Sequence, residues 1–306
     1  MIETLLHVAL LLALPPLSLG VINKVKAFFA GRNGPPLLQV YFDLWKLLRK
    51  GAVYSRTTSW VFRAGPIIGL ATTLAAGLLV PLTGAAAPLA FGGDVIAFAY
   101  LLGLGRFFTM AAALDTGSSF EGMGASREAT FSSLAEPALF LALAIVCIPA
   151  GAFSLTEALR ALPWADWGAA RPVYFIAAAT LFVVLLAECS RIPVDDPNTH
   201  LELTMVHEVM VLDHSGPDLA FIVYGGAVKL FVFGALLVQL LVPVSTLDLL
   251  PGAAAMVGGQ LALAALVGGV ESVMARLRLV RVPQFLIGAS VIATIGVAIL
   301  LYRGHA

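Results

Sequence analysis

Two stretches of an otherwise apolar chain carry carboxylates that a lipid environment does not hold cheaply. The first is LDTGSSFEGMGASREATFSSLAEPALF (114–140). Here Glu128, Ser132 and Glu136 recur at i, i+4 and i+8, which places them in one stripe along a helix. Pro137 follows at once and predicts a kink beside Glu136. The second is AECSRIPVDDPNTHLELTMVHEVMVLDHSGPDLA (187–220), with Glu188, Arg191, Asp195 and Glu202. Asp196 suits an N-cap and Pro197 the first helical position, so a helix is expected from there to about Leu212. At about 100° per residue, His200, Thr204, His207 and Val211 share one side of that helix. Leu201, Met205, Val209 and Leu212 share another, and Glu202 falls within this apolar arc. A desolvated carboxylate there is pushed upward toward proton exchange near neutrality. The alternatives are a structural ion pair between Glu202 and Arg191, and a merely solvated helix end at Glu128. The chemistry these groups suggest is proton movement along a buried row of Glu128, Glu136, Glu188, Asp195 and Glu202. Arg106, Arg191 and Lys229 are the expected charge partners.

Other chemistries find little support. His200, His207 and His214 are seven residues apart, but His214 lies past the expected helix end and no H-E-x-x-H pattern occurs. Cys147 and Cys189 sit in or beside apolar runs and read as small core residues. The sequence has no Gly-rich phosphate loop, nucleophile elbow or cysteine cluster. No catalytic residue, metal or cofactor is therefore expected in this chain.

The elements that must hold the row are set by composition. Of 306 residues, 60% are hydrophobic and only 12% charged, and the mean hydropathy is +0.96. Soluble domains carry about a quarter charged residues, so lipid must be the solvent for much of the surface. A net charge of zero removes the bulk electrostatic case for nucleic acid. Apolar runs near 4–22, 66–82, 94–114, 134–151, 173–189, 219–242, 253–270 and 284–302 predict an all-α, polytopic membrane helix bundle of about eight transmembrane helices, a single membrane domain over 1–306. The first run has Glu3 where a signal peptide has basic residues and reads as a retained span, kinked at Pro15-Pro16. Of the 18 Lys and Arg residues, thirteen fall in loops at about 23–65, 115–133, 190–218 and 271–283, Arg106 and Lys229 fall within spans, and only Arg160, Arg171 and Arg303 fall opposite. This bias predicts that those four loops are cytoplasmic, that both termini are outside, and that the chain is a multi-pass protein of the cell inner (plasma) membrane.

The first of these loops, GRNGPPLLQVYFDLWKLLRKG (31–51), reads as a Gly/Pro turn and a short helix. Leu37, Leu38, Tyr41, Leu44, Trp45 and Leu48 form an apolar side, and Gln39, Asp43, Lys46, Arg49 and Lys50 a polar one. An interfacial helix and a docking surface for a soluble partner both fit.

These loops resemble a known family. GRNGPPLLQVYFDLWKLL is similar to the signature after the first helix in the subunit-1 family of respiratory complex I, which includes membrane subunits of formate hydrogenlyase and related group 4 nickel–iron hydrogenases. Glu188, Arg191, Pro193 and Asp195 match its E-x-x-R-x-P-x-D, Glu202-Leu203 its later Glu-Leu, and GASRE with Glu136 and ESVMARLRL (271–279) complete the resemblance. Gly34-Pro35-Pro36-Leu37-Leu38-Gln39 is shorter than in complex I, and Asn198 and His200 stand where complex I keeps acids. The hydrogenase-type branch is thus the better match, and a quinone site is not expected. The resemblance implies a non-catalytic anchor and coupling subunit. Its partners would be a hydrogenase-like large subunit and an iron–sulfur small subunit, which carry the nickel–iron centre and iron–sulfur clusters, together with antiporter-like membrane subunits and lipid. Arg32, Gly34, Pro35, Gln39, Asp43 and Lys46 would form the docking segment, and redox chemistry would be linked to proton or sodium translocation. The alternatives are the quinone-binding subunit of NADH-quinone oxidoreductase and a standalone transporter, for which the sequence lacks the internal repeat.

Overall fold

The computed structural model describes residues 1–164, 167–196 and 205–304. Among them the regular elements are all helical: α1 (Ile2–Ala13), α2 (Pro15–Phe29), α3 (Gln39–Leu48), α4 (Trp60–Gly77), α5 (Asp94–Asp115), α6 (Ser119–Ala150), α7 (Leu155–Arg160), α8 (Trp167–Glu188), α9 (Gly216–Leu241), α10 (Leu249–Val273) and α11 (Val282–Gly304).

The expected count of about eight spans is corrected. Five described helices, α5, α6, α9, α10 and α11, are long and apolar enough to cross a membrane. A sixth is obtained if α1 and α2, bent by 41° where Pro15 begins α2, count as one broken span. Two apolar runs behave differently. The run at 66–82 belongs to α4, which has 18 residues, contains Arg63, Pro66, Thr72 and Thr73, and stops at Gly77. Its remainder leaves the helix and is buried at Leu79, Val80 and Leu82. The run at 173–189 lies in α8, whose apolar part, Pro172–Glu188, counts 17 residues and does not qualify by length and composition as a span among the described residues. Hydrophobicity marks what avoids water, and protein core satisfies it as well as lipid does. Side assignments that counted eight crossings, both termini included, lose that basis.

α9 is the centre of the bundle. It contacts α2, α3, α4, α8 and α10, and nearly every side chain from Ala227 to Leu240 is buried. Small residues let the helices approach closely, as lipid-embedded packing requires. A Cβ at Gly268 would stand 2.9 Å from the Val25 Cβ and 3.0 Å from the Ile22 carbonyl oxygen, so α10 meets α2 almost backbone to backbone. A Cβ at Gly20 would overlap the Leu37 carbonyl oxygen, which seats the approach to α3 directly on α2. At the far end, fully buried Asp94 accepts hydrogen bonds from Ser154 Oγ (2.9 Å) and the Leu155 amide (2.6 Å), tying α5 to the start of α7.

The helix expected from Asp196 to about Leu212 is also corrected over its described end. Residues 205–207 are irregular, and Glu208–Val211 form a single 3-10 turn. The Asp195 carboxylate accepts the amides of Val206 (3.2 Å) and His207 (3.1 Å), folding this stretch back on Asp195 instead of letting it run on. Glu202, His200 and the rest of 197–204 lie outside the described residues. α6 is one helix that contains both Pro137 and Pro149.

Candidate functional site

The site is assembled on Arg106, a cation in the middle of α5 whose side chain is 7% exposed. Its Nη1 donates to Glu136 Oε1 at 2.6 Å, and its Nη2 donates to Glu188 Oε1 at 2.6 Å. Its Nε lies 3.8 Å from Glu128 Oε1, too far for a hydrogen bond. The second oxygen of Glu188 is 2.7 Å from Lys229 Nζ on α9. The i, i+8 pair on α6 thus converges on one guanidinium, and Glu188 at the end of α8 is shared between two cations. Ser132 takes no part; its hydroxyl donates to the Ala129 carbonyl.

Three carboxylates meet two cations here, a formal surplus of one carboxylate, with Glu188 buried, Glu128 largely buried and Glu136 half exposed. Arg106 keeps its proton throughout. Glu128 is the least compensated of the three. Glu136 differs from the others: it is held by a buried cation, yet its side chain is 47% exposed on the flank of the bundle.

Two spaces adjoin the network. One is a void of about 10 Å³ bounded by Glu128, Ser132, Glu188, Ser190 and Asp195, at the lower limit of what a single water needs. The other is a cavity of about 350 Å³ whose lining includes Arg106, Glu128, Glu188, Arg191 and Lys229. Leu19, Leu70, Leu102, Phe221 and Ile222 supply apolar wall, and Gly69 and Gly226 leave it without side chains.

A second ion cluster was not legible in the sequence. Glu271, at the end of α10, has a fully buried side chain 2.8 Å from Lys26 Nζ and 3.3 Å from Arg191 Nη1. Arg191 is therefore paired with Glu271, whereas Glu202, its suggested partner, is outside the described residues. Asp195, besides accepting the two amides, lies 2.7 Å from Arg276 Nη2. The available signal was a lone carboxylate closing an apolar run at 253–270, while Lys26 and Arg276 read only as markers of membrane side.

The histidines stay apart in role. His214 stacks on Phe62 with centroids 4.0 Å apart and an interplanar angle of 10°; burial holds it below its usual pKa, and burial does the same to His207. Among the described residues, no group of three or more His, Cys, Asp or Glu could hold a metal ion. Cys147 is in the core and Cys189 lines the cavity.

In the 31–50 segment, Gly34 takes φ 61, and Arg32 and Pro35 are exposed. α3 has three faces rather than two. Val40, Tyr41, Leu44 and Leu47 turn toward the bundle, with the Tyr41 hydroxyl donating to the Ala13 carbonyl. Gln39, Asp43, Lys46 and Lys50 form a polar stripe in which Gln39 donates to Asp43 at 2.9 Å. Leu38, Phe42 and Trp45 form a separate exposed apolar stripe, Phe42 and Trp45 each 59% exposed, and the Arg49 guanidinium lies 4.3 Å over the Trp45 ring.

Comparison with known proteins gives the family. A family model described as NADH dehydrogenase matches residues 2–302. The chain belongs to that family. It is 33% identical over 242 residues to hydrogenase-4 component C of Escherichia coli K12, covering 79% of this chain and 75% of that protein. It is 29% identical over 286 residues to formate hydrogenlyase subunit 4 of the same organism, covering 92% of each. An NADH-quinone oxidoreductase subunit of Anaplasma phagocytophilum is 29% identical over 243 residues, 71% of this chain and 68% of that one. A chain of the archaeal membrane-bound sulfane sulfur reductase complex shares the fold, with TM-score 0.83 at 23% identity over 97% of this chain and 98% of that one. This family member is a multi-pass membrane protein, related to membrane subunits of hydrogenase-type and complex I-type assemblies.

Proposed function

We propose that the chain is the membrane anchor and coupling subunit of a group 4 nickel–iron hydrogenase-like complex of the formate hydrogenlyase type. In this reading it performs no catalysis. The soluble large and small subunits, with their nickel–iron centre and iron–sulfur clusters, dock on a cytoplasmic loop face of the inner membrane, and antiporter-like subunits lie beside it in the membrane. The observation that carries the reading is Glu136. A carboxylate near the start of the apolar half of α6, half exposed on the flank yet hydrogen-bonded to a buried guanidinium, is costly against lipid and calls for a neighbouring membrane subunit. The ion network then runs from the loop face to that neighbour. Asp195, the water-sized void, Glu128 and Glu188 supply the inner stations, and Arg106 joins them to Glu136. A charge change near the loops shifts the proton affinity of this surplus carboxylate set, and a proton leaves or enters at the Glu136 carboxylate. The test is Glu136→Gln in the assembled complex: ion movement per turnover is expected to fall while the soluble subunits stay bound.

One observation favours a second reading, the quinone-binding subunit of an NADH-quinone oxidoreductase. The cavity of about 350 Å³ lies within the usual range of small-molecule sites, and its mixed apolar and charged lining would suit a ring with an apolar tail. A quinone, when bound, would supply two-electron redox chemistry. Arg106 and Lys229 would orient its polar end, and Leu70 and Ile222 would line its tail. The shortened 34–39 signature opposes this reading. Quinone-dependent turnover sensitive to Leu70→Trp would establish it over the first.

A further inference from the structure

We infer that Glu271 is a positioning residue: it holds the Arg191 guanidinium at the cavity and ties it to α2, the helix that leads into the 31–50 segment. The inference rests on the coupling role proposed above and extends it to a residue outside the Glu128–Glu202 row.

The geometry argues for it in three steps. First, the Glu271 side chain is 0% exposed and meets two cations from two other parts of the chain, Lys26 in the last turn of α2 and Arg191 just past α8. The close approach of Gly268 to Ile22 and Val25, one turn earlier, sets the α10–α2 spacing that makes the Lys26 contact. Second, Arg191 has no other anchor of this kind. Glu271 is its one carboxylate partner among the described residues, and its Nε–H is buried without an acceptor. Third, Arg191 follows Ser190, whose φ of 50 is a conformation that non-glycine residues adopt at a cost and that persists where surrounding contacts over-determine it. That turn brings Glu188, Ser190 and Arg191 to the same cavity.

The charges of the two clusters are complementary. Glu128, Glu136 and Glu188 exceed Arg106 and Lys229 by one negative charge, and Lys26 with Arg191 exceeds Glu271 by one positive charge. Arg191 lines the same cavity as Glu128 and Glu188, so Glu271, by holding Arg191, sets where that guanidinium stands relative to them, and through Lys26 it ties that placement to α2. Neutralising Glu271 leaves two cations uncompensated beside the network.

The test uses membrane vesicles carrying the whole complex. Retention of the soluble subunits, viologen-driven turnover, and proton or sodium uptake per turnover are measured for wild type, Glu271→Gln, Glu271→Asp and Glu136→Gln. Glu271→Gln is expected to retain the soluble subunits while uptake per turnover falls at least about tenfold and its pH profile moves to lower pH. Glu271→Asp, which keeps the charge one methylene back, should recover an intermediate value. Unchanged uptake in Glu271→Gln overturns the inference, as does equal loss of assembled complex in both Glu271 variants, the result of a plain structural latch. If Glu271→Gln fails to insert, the Asp variant decides: unchanged uptake at full assembly overturns the positioning role. Uncoupling by Glu136→Gln but not by Glu271→Gln removes this inference alone. Failure of both removes the coupling reading with it.

Discussion

Arg106 and Glu136 are joined at 2.6 Å, so one of the most buried cations in the bundle is hydrogen-bonded to a carboxylate half exposed on its flank. Glu136→Gln preserves shape and hydrogen bonding but cannot change charge, and Arg106 keeps Glu188. The complex should assemble normally and lose ion movement, measured as uptake per turnover in vesicles. Intact uptake, or failure to assemble, would assign the acidic row a structural role and leave the chain an anchor.

Removal of Arg106 itself should act on stability. Arg106→Met leaves three carboxylates with Lys229 alone, and breaking a buried pair costs roughly 3–5 kcal/mol. The contact with half-exposed Glu136 adds little to that sum. A markedly lowered thermal midpoint in detergent, or loss of protein from membranes, is expected. Arg106→Lys should rescue poorly, because an ammonium cannot reproduce the fork that reaches Glu136 and Glu188 together.

The two stripes of α3 should separate by mutation. If the polar stripe and the turn before it dock a soluble partner, Asp43→Ala or Arg32→Ala will release soluble subunits from washed membranes. Phe42→Ser, on the apolar stripe, should leave them bound. Release by Phe42→Ser together with retention in Asp43→Ala would assign the stripes the other way round.

His214 predicts a pH dependence of stability. Its folded pKa is lowered from 6.5 by burial, against the opposing pull of Asp218 and Asp213. Below the ordinary value the unfolded chain binds the proton more readily, so the contribution is present above about pH 6.5 and is lost as pH falls through the folded value. The thermal midpoint should drop between pH 7.5 and 5, and His214→Gln should flatten that drop.

What the sequence made legible was local. The stripe of Glu128 and Glu136 follows from helical spacing, and Arg106 and Lys229 stood out as charges in apolar runs that must find partners. Glu271 with Lys26, and Asp195 with Arg276, stayed hidden because their partners are joined only by tertiary packing, which spacing does not encode. The spans were overcounted for a related reason. Leu79, Val80 and Leu82 are as apolar as any lipid-facing residue, and nothing in their side chains says that protein rather than lipid surrounds them. The amphipathic reading of α3 missed a division that only the surface it rests on could create.

The contact between Gly20 and the Leu37 carbonyl has a mechanical consequence. Backbone meets backbone there, so the joint contains no rotamer that could yield under load. A push on the 31–38 stretch is handed to α2 as by a rigid strut, and α2 carries it about one and two-thirds turns onward to Lys26. Stiffness at that joint gives the molecule a route for work that needs no charge to move along it.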